Sequence, residues 1–138
     1  MLEDAVLRTL CRGQVLIALS SGEAEFHGLV TGVSETLGEQ SIALDWGIKF
    51  GIQMRMDATA GAAIGSRRGL GRVKHLNTVF LWVQEFVTCG KIKITKVHTS
   101  ENYADILTKA VSGPLLMAMM TSMKFRFLDG RSRMALMA

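Results

Sequence analysis

Three carboxylates stand where the sequence pattern passes from one element to the next: Glu25, Asp57 and Asp105. Glu25 follows the apolar run Val15 to Leu19 and the turn Ser20-Ser21-Gly22. Asp57 closes the alternating segment Ile52 to Met56. Asp105 falls near the start of an amphipathic segment that follows Thr99-Ser100. Gathering several carboxylates is unfavourable without cations, because like charges disfavour ionisation. Divalent cations remove that penalty, and magnesium takes few protein carboxylates, filling its other positions with water and phosphate oxygens. Two such ions about 3.5–4 Å apart can clamp the attacking and leaving oxygens of a phosphodiester. The same residues also have structural uses, since a helix start favours a carboxylate through its dipole. Spacing alone gives Asp105 to that structural use. It leaves Asp57 open between a turn residue and a ligand.

The elements that would position these groups can be read from pattern. Val15 to Leu19 is apolar and partly β-branched, as expected of a buried strand. Ser20-x-x-Glu23 fits the capping box, in which the serine oxygen accepts from the third helical N–H and the glutamate reaches back to the cap. Glu23 thus has a structural job and Glu25 does not. From Glu23 to about Trp46, the spacing of Phe26, Leu29, Val30, Val33 and Leu37, continued by Leu44, predicts a long amphipathic helix with His27 exposed. Gly28, Gly32 and Gly38 weaken it by roughly 1 kcal/mol each relative to alanine, which close packing on a sheet would offset. Ile52, Met54 and Met56 alternate with Gln53, Arg55 and Asp57, a half-buried strand with Asp57 at its C-terminal end. In open α/β sheets that end is where sites form.

Ala58 to Ser66 is small and helix-compatible. A second helix is predicted from Val73 to about Cys89, with Leu76, Val79, Phe80, Val83 and Val87 as its stripe and Gly90 as its C-terminal stop. Lys91 to His98 reads as a strand. Thr99-Ser100 would cap a shorter helix whose apolar side is Tyr103, Ile106, Leu107 and Ala110, and Gly113-Pro114 would break it. Strands alternating with helices predict an α/β sheet domain. Residues 112–138 form a separate, methionine-rich tail holding Met117, Met119, Met120, Met123, Met134 and Met137 of the nine methionines. It is either a helix packed through adaptable thioethers or a frayed end.

The chain has 138 residues, 49% of them apolar, enough for the core of one domain. Its net charge of +4 and pI of about 9.4 are compatible with a polyanionic partner. Arg67, Arg68, Arg72 and Lys74 crowd a glycine-rich segment, a pattern shared by solvated loops and phosphate-contacting loops. That segment is not a Walker loop, and the chain has no Gly-x-Ser-x-Gly elbow. Cys11 and Cys89 lack metal-ligand spacing and suit a reduced, intracellular chain. No signal peptide is expected, nor any membrane span.

Four blocks occur in an order and spacing that resembles a known family: Ala18-Leu19-Ser20-Ser21-Gly22-Glu23-Ala24-Glu25-Phe26, Met56-Asp57-Ala58-Thr59-Ala60-Gly61-Ala62-Ala63, Lys74-His75, and Asn102-Tyr103-Ala104-Asp105-Ile106-Leu107-Thr108-Lys109. Together they look like the ribonuclease H domain of copia-type retrotransposon Pol polyproteins, over about Leu7 to Val111. The resemblance implies residues 1–111 as a ribonuclease H-like domain, a mixed sheet with flanking helices. It implies hydrolysis of the RNA strand of RNA–DNA hybrids by two Mg2+ ions, in a protein normally fused to reverse transcriptase. Glu25, Asp57 and Asp105 would then be the catalytic metal ligands, and Arg67, Arg68, Arg72 and Lys74 would contact nucleic acid. His75 matches a family histidine at a helix start, and His98 lies in a loop where some ribonuclease H proteins carry an auxiliary histidine. The family's first metal-binding aspartate lies upstream of the serine pair, and the surroundings of Asp4 do not match it. The expected sheet therefore lacks its first strand. The alternatives are a catalytically dead remnant that binds nucleic acid, or an interaction module with an open sheet edge.

Overall fold

A computed structural model describes residues 6–13, 17–57, 59–69 and 81–125. The chain divides into two compact units, Arg12–Asn102 and Met1–Cys11 with Tyr103–Ala138. In the larger unit the described elements are α1 (Ser21–Asp45), β1 (Ile52–Met56), α2 (Thr59–Ser66), α3 (Trp82–Thr88), β2 (Ile92–Lys96) and a 3-10 turn, Thr99–Glu101. The smaller unit holds a 3-10 helix, Tyr103–Leu107, and α4 (Gly113–Ser122).

Helix α1 begins as its capping residues require. Ser20 is extended (φ −151°, ψ 155°), and its hydroxyl accepts from the Glu23 N–H at 3.2 Å. The glutamate reaches back one residue further than the standard box, its Oε2 accepting from the Leu19 N–H at 2.8 Å. The helix stops at Trp46, and Gly47 takes the left-handed conformation (φ 78°) that a glycine adopts without strain. The stripe is shorter than its spacing suggests. Phe26, Leu29, Val30 and Val33 are buried and Leu37 is half-buried, but Leu44 is exposed. The last turns of α1 run past the short sheet, beyond the apolar surface that the described strands offer.

Strands β1 and β2 are parallel, with Ile52 opposite Ile92 and Met56 opposite Lys96. Alternation sends Ile52, Met54 and Met56 towards the core and leaves Gln53 and Arg55 exposed. On the polar face Gln53 donates to Thr95 across the strands at 2.8 Å, and Arg55 lies 3.9 Å from Glu101. Ile92 of β2, Ile64 of α2 and Val83 of α3 join the α1 stripe in one core. Each such buried side chain stabilises the fold by about 1.5–3 kcal/mol. The expectation of a mixed α/β chain holds at this level: a two-stranded parallel sheet and four helices among the described residues.

The helix α2 lies on α1 at glycine positions. A Cβ on Gly61 would stand 2.8 Å from the Glu25 Cβ and 3.2 Å from its carbonyl carbon. One on Gly65 would meet Leu29 Cδ2 at 2.6 Å and Ile94 Cδ1 at 2.8 Å. Gly32 serves the same purpose between α1 and the sheet, where a Cβ would meet the Met54 methyl at 2.8 Å. Gly28 and Gly38 face open space among the described residues, so close packing does not account for them.

Several expectations need correction. Of the strand predicted at Val15 to Leu19, residues 15 and 16 lie outside the described residues, and Ile17 to Leu19 are irregular. Ile17 is 90% exposed, because this segment bends to bring the Leu19 N–H onto Glu23 instead of extending along a sheet. Of the second predicted helix, the described part runs Trp82–Thr88, and Leu76, Val79 and Phe80 lie outside the described residues. The helix expected after Thr99-Ser100 is two 3-10 segments. The first is capped by His98, whose Nδ1 accepts from the Ser100 N–H at 3.3 Å. Gly113-Pro114 ends that region by opening α4, since proline in a first turn loses no intrahelical bond. Met119 is buried and Met117 is exposed; Met134 and Met137 are outside the described residues.

Three substitutions test this packing. Gly61→Ala forces α1 and α2 apart and should cost about 1–3 kcal/mol, read as a lowered urea midpoint at unchanged slope. Ser20→Ala removes the α1 cap and should cost about 1 kcal/mol in the same assay. Glu25→Gln, at an exposed position, should stay within about 0.5 kcal/mol of the parent.

Candidate functional site

The close approach at Gly61 also decides where Glu25 stands. The Cβ and carbonyl of Glu25 pack against Gly61, and the Met56 methyl reaches the same point, 3.0 Å from a Cβ built there. Met56 is the last residue of β1, and Asp57 follows it. The Met56 side chain thus reaches the point where α1 and α2 touch. Glu25 is exposed and Asp57 half-buried. The Val97 N–H donates to the Met56 carbonyl at 2.8 Å, which fixes the strand end beside Asp57.

Glu23, two residues before Glu25, is inward and only 4% exposed. It is held by the Leu19 N–H and lies 3.9 Å from His27 Nε2, one helical turn on. His27 is buried at 9% exposure, which corrects the expectation of an exposed histidine. It shares the inward face of α1 with Phe26 and Val30, and the buried Glu23 carboxylate beside it gives a polar ring a reason to be there. The sequence signal for this is a polar pair at helical spacing beside an apolar stripe.

Asp105 belongs to the smaller unit, in its 3-10 helix. Its carboxylate is buried and bound by Lys109 Nζ at 3.0 Å. The Asp105 carbonyl accepts from the N–H groups of Thr108 and Lys109. The residue closes its own turn from both ends, through backbone and side chain. Among the described residues, no three His, Cys, Asp or Glu side chains stand together in a way that could hold a metal ion.

Of the basic segment, Arg67 and Arg68 are described, and Arg72, Lys74 and His75 lie outside the described residues. Arg68 is exposed and Arg67 half-buried, in the turn that leaves α2. That turn is held by a residue that the pattern of charges does not single out. Gln84 of α3 is buried, and its amide binds Gly69 N–H, Gly69 C=O and Ile64 C=O. Its signal in the sequence is a glutamine next to Val83, within the apolar stripe of that helix. His98 is exposed, with Nδ1 2.8 Å from Ser100 Oγ, and caps the Thr99–Glu101 turn. Cys11 and Cys89 are both free and exposed. No described helix is long and apolar enough to cross a membrane.

A stretch of 40 residues, 29% of this chain, is 42% identical to the retrovirus-related Pol polyprotein from transposon TNT 1-94 of Nicotiana tabacum. The match takes in 3% of that polyprotein's length. No family model and no solved structure matches the chain. The similarity supports an origin in a retrotransposon Pol polyprotein.

Proposed function

We propose that the chain is a ribonuclease H-like remnant of a retrotransposon Pol polyprotein that binds nucleic acid, RNA–DNA hybrid included, without cleaving it. The similarity to a Pol polyprotein supports the origin. The order of the four sequence blocks supports the ribonuclease H-like part of the reading. The observation that carries the absence of cleavage is the fate of the acids. Asp105 is bound to Lys109, and among the described residues no metal-holding group of three forms. A phosphodiester approaching the exposed Glu25 would meet a carboxylate of its own sign of charge, which repels it.

Binding falls to the cations after α2. Arg67, Arg68, Arg72 and Lys74 would pair with backbone phosphates, releasing counterions and supplying affinity without reading sequence. Arginine offers a planar fork that fits a phosphate in two places, so the two arginines of the described turn would fix orientation as well as charge.

The test is fluorescence anisotropy on a labelled RNA–DNA hybrid across a salt series, with a parallel cleavage assay in magnesium. The expected result is binding that weakens linearly in log–log form with salt. Replacing Arg67, Arg68, Arg72 and Lys74 by alanine should lower that slope by about one for each phosphate pairing removed. Asp57→Asn should bind at least as well as the parent, and neither should cut. Magnesium-dependent cleavage by the parent that Asp57→Asn abolishes would overturn the proposal in favour of an active two-metal hydrolase.

A further inference from the structure

We infer that Gln84 is a positioning residue that holds the Arg67-Arg68 turn in one shape for phosphate contact; the inference rests on the reading of that turn as a nucleic-acid contact. A glutamine is seldom buried, and an amide left unsatisfied in a core is costly. Gln84 is 4% exposed and uses both ends of its amide. Its Oε1 accepts from the Gly69 N–H at 2.7 Å, and its Nε2 donates to the Ile64 carbonyl at 2.8 Å and the Gly69 carbonyl at 3.1 Å.

These partners bracket the two arginines. Ile64 is in the last turn of α2, where carbonyls lack an intrahelical donor. Gly69 is in the left-handed region (φ 77°), and both its N–H and its C=O are taken by one side chain. The amide thus acts on Gly69 as a neighbouring strand would, fixing the peptide on either side of the residue. Arg67 and Arg68 lie between the two anchored points, with Arg68 exposed beside the shallow groove that Gln84 also lines.

A stiff basic turn holds a phosphate more tightly than a loose one. A guanidinium on a loose turn must be ordered when the ligand binds, and that ordering subtracts from affinity. The clamp supplies the order beforehand, from a helix that is itself held in the core by Val83.

The test is a double-mutant cycle on the full chain, read by hybrid anisotropy at low salt. Arg68→Ala should weaken binding several-fold and lower the salt slope by about one. Gln84→Met, which keeps volume and removes all three bonds, should weaken binding by a similar factor, with helix content by circular dichroism unchanged. In the Arg67→Ala, Arg68→Ala background, Gln84→Met should add little, since residues that act through one contact are not additive. Gln84→Asn, which is neutral and too short to keep all three bonds, gives the same reading if the methionine variant does not fold. Equal weakening by the Gln84 variants with and without the two arginines, or none at all in a folded variant, overturns the inference and leaves the binding proposal standing. A parent that fails to bind hybrid at low salt overturns both.

Discussion

The closeness of α2 to α1 is the constraint on which the larger unit depends. Two helices whose side chains interleave stand about 8–10 Å apart. Here a glycine in α2 is pressed against the backbone of α1, and any Cβ at Gly61 would overlap Glu25. The consequence is more than tight packing. With α2 drawn in, Ile64 reaches the α1 stripe, and the Met54 and Met56 side chains fill the space beneath. The sheet has only two described strands, too few to form a core of its own, so the helices must supply one. A side chain at Gly61 or Gly65 would lift α2 and open that shared core.

The same corner separates two glutamates that the sequence sets two residues apart. On a helix, positions two apart point to different faces. Glu23 faces inward, where the Leu19 N–H and His27 meet it, and its carboxylate is part of how α1 begins. Glu25 is turned outward, with its backbone on Gly61 and its carboxylate in water. Removing Glu23 would take a partner from the Leu19 N–H and from a buried ring. Removing Glu25 takes nothing from the core.

Much of this is legible in the sequence, and the parts that are not have physical reasons. The Ser20 cap, the α1 span, the alternation of β1 and the stop at Gly90 are local signals, decided within a few residues. The exposure of Leu44 is not legible, because it depends on how far the sheet extends beneath the helix. The burial of His27 is hidden because periodicity counts it as polar and cannot see the buried Glu23 beside it. Ile17 to Leu19 is apolar enough for a strand, yet a short apolar run does not say whether a partner strand exists. The role of Gln84 is hidden because its partners, Ile64 and Gly69, are far from it in sequence. The engagement of Asp105 is written in Lys109, four residues on.

That engagement bears directly on what the acids can do. The Lys109 ammonium lies 3.0 Å from a carboxylate oxygen of Asp105. It neutralises Asp105 and needs no metal to do so. Lys109 is largely exposed while the Asp105 carboxylate is buried, so the pair combines a fixed anion with a cation that keeps its hydration. Such an arrangement favours the closed turn, since removing one partner of a buried pair costs more than the pair itself contributes. Glu25 stands differently, exposed to water, where its negative charge faces an incoming ligand. On the proposed reading, the arginines carry the attraction of this chain for a polyanion. The exposed Glu25 then acts on the same ligand by repulsion.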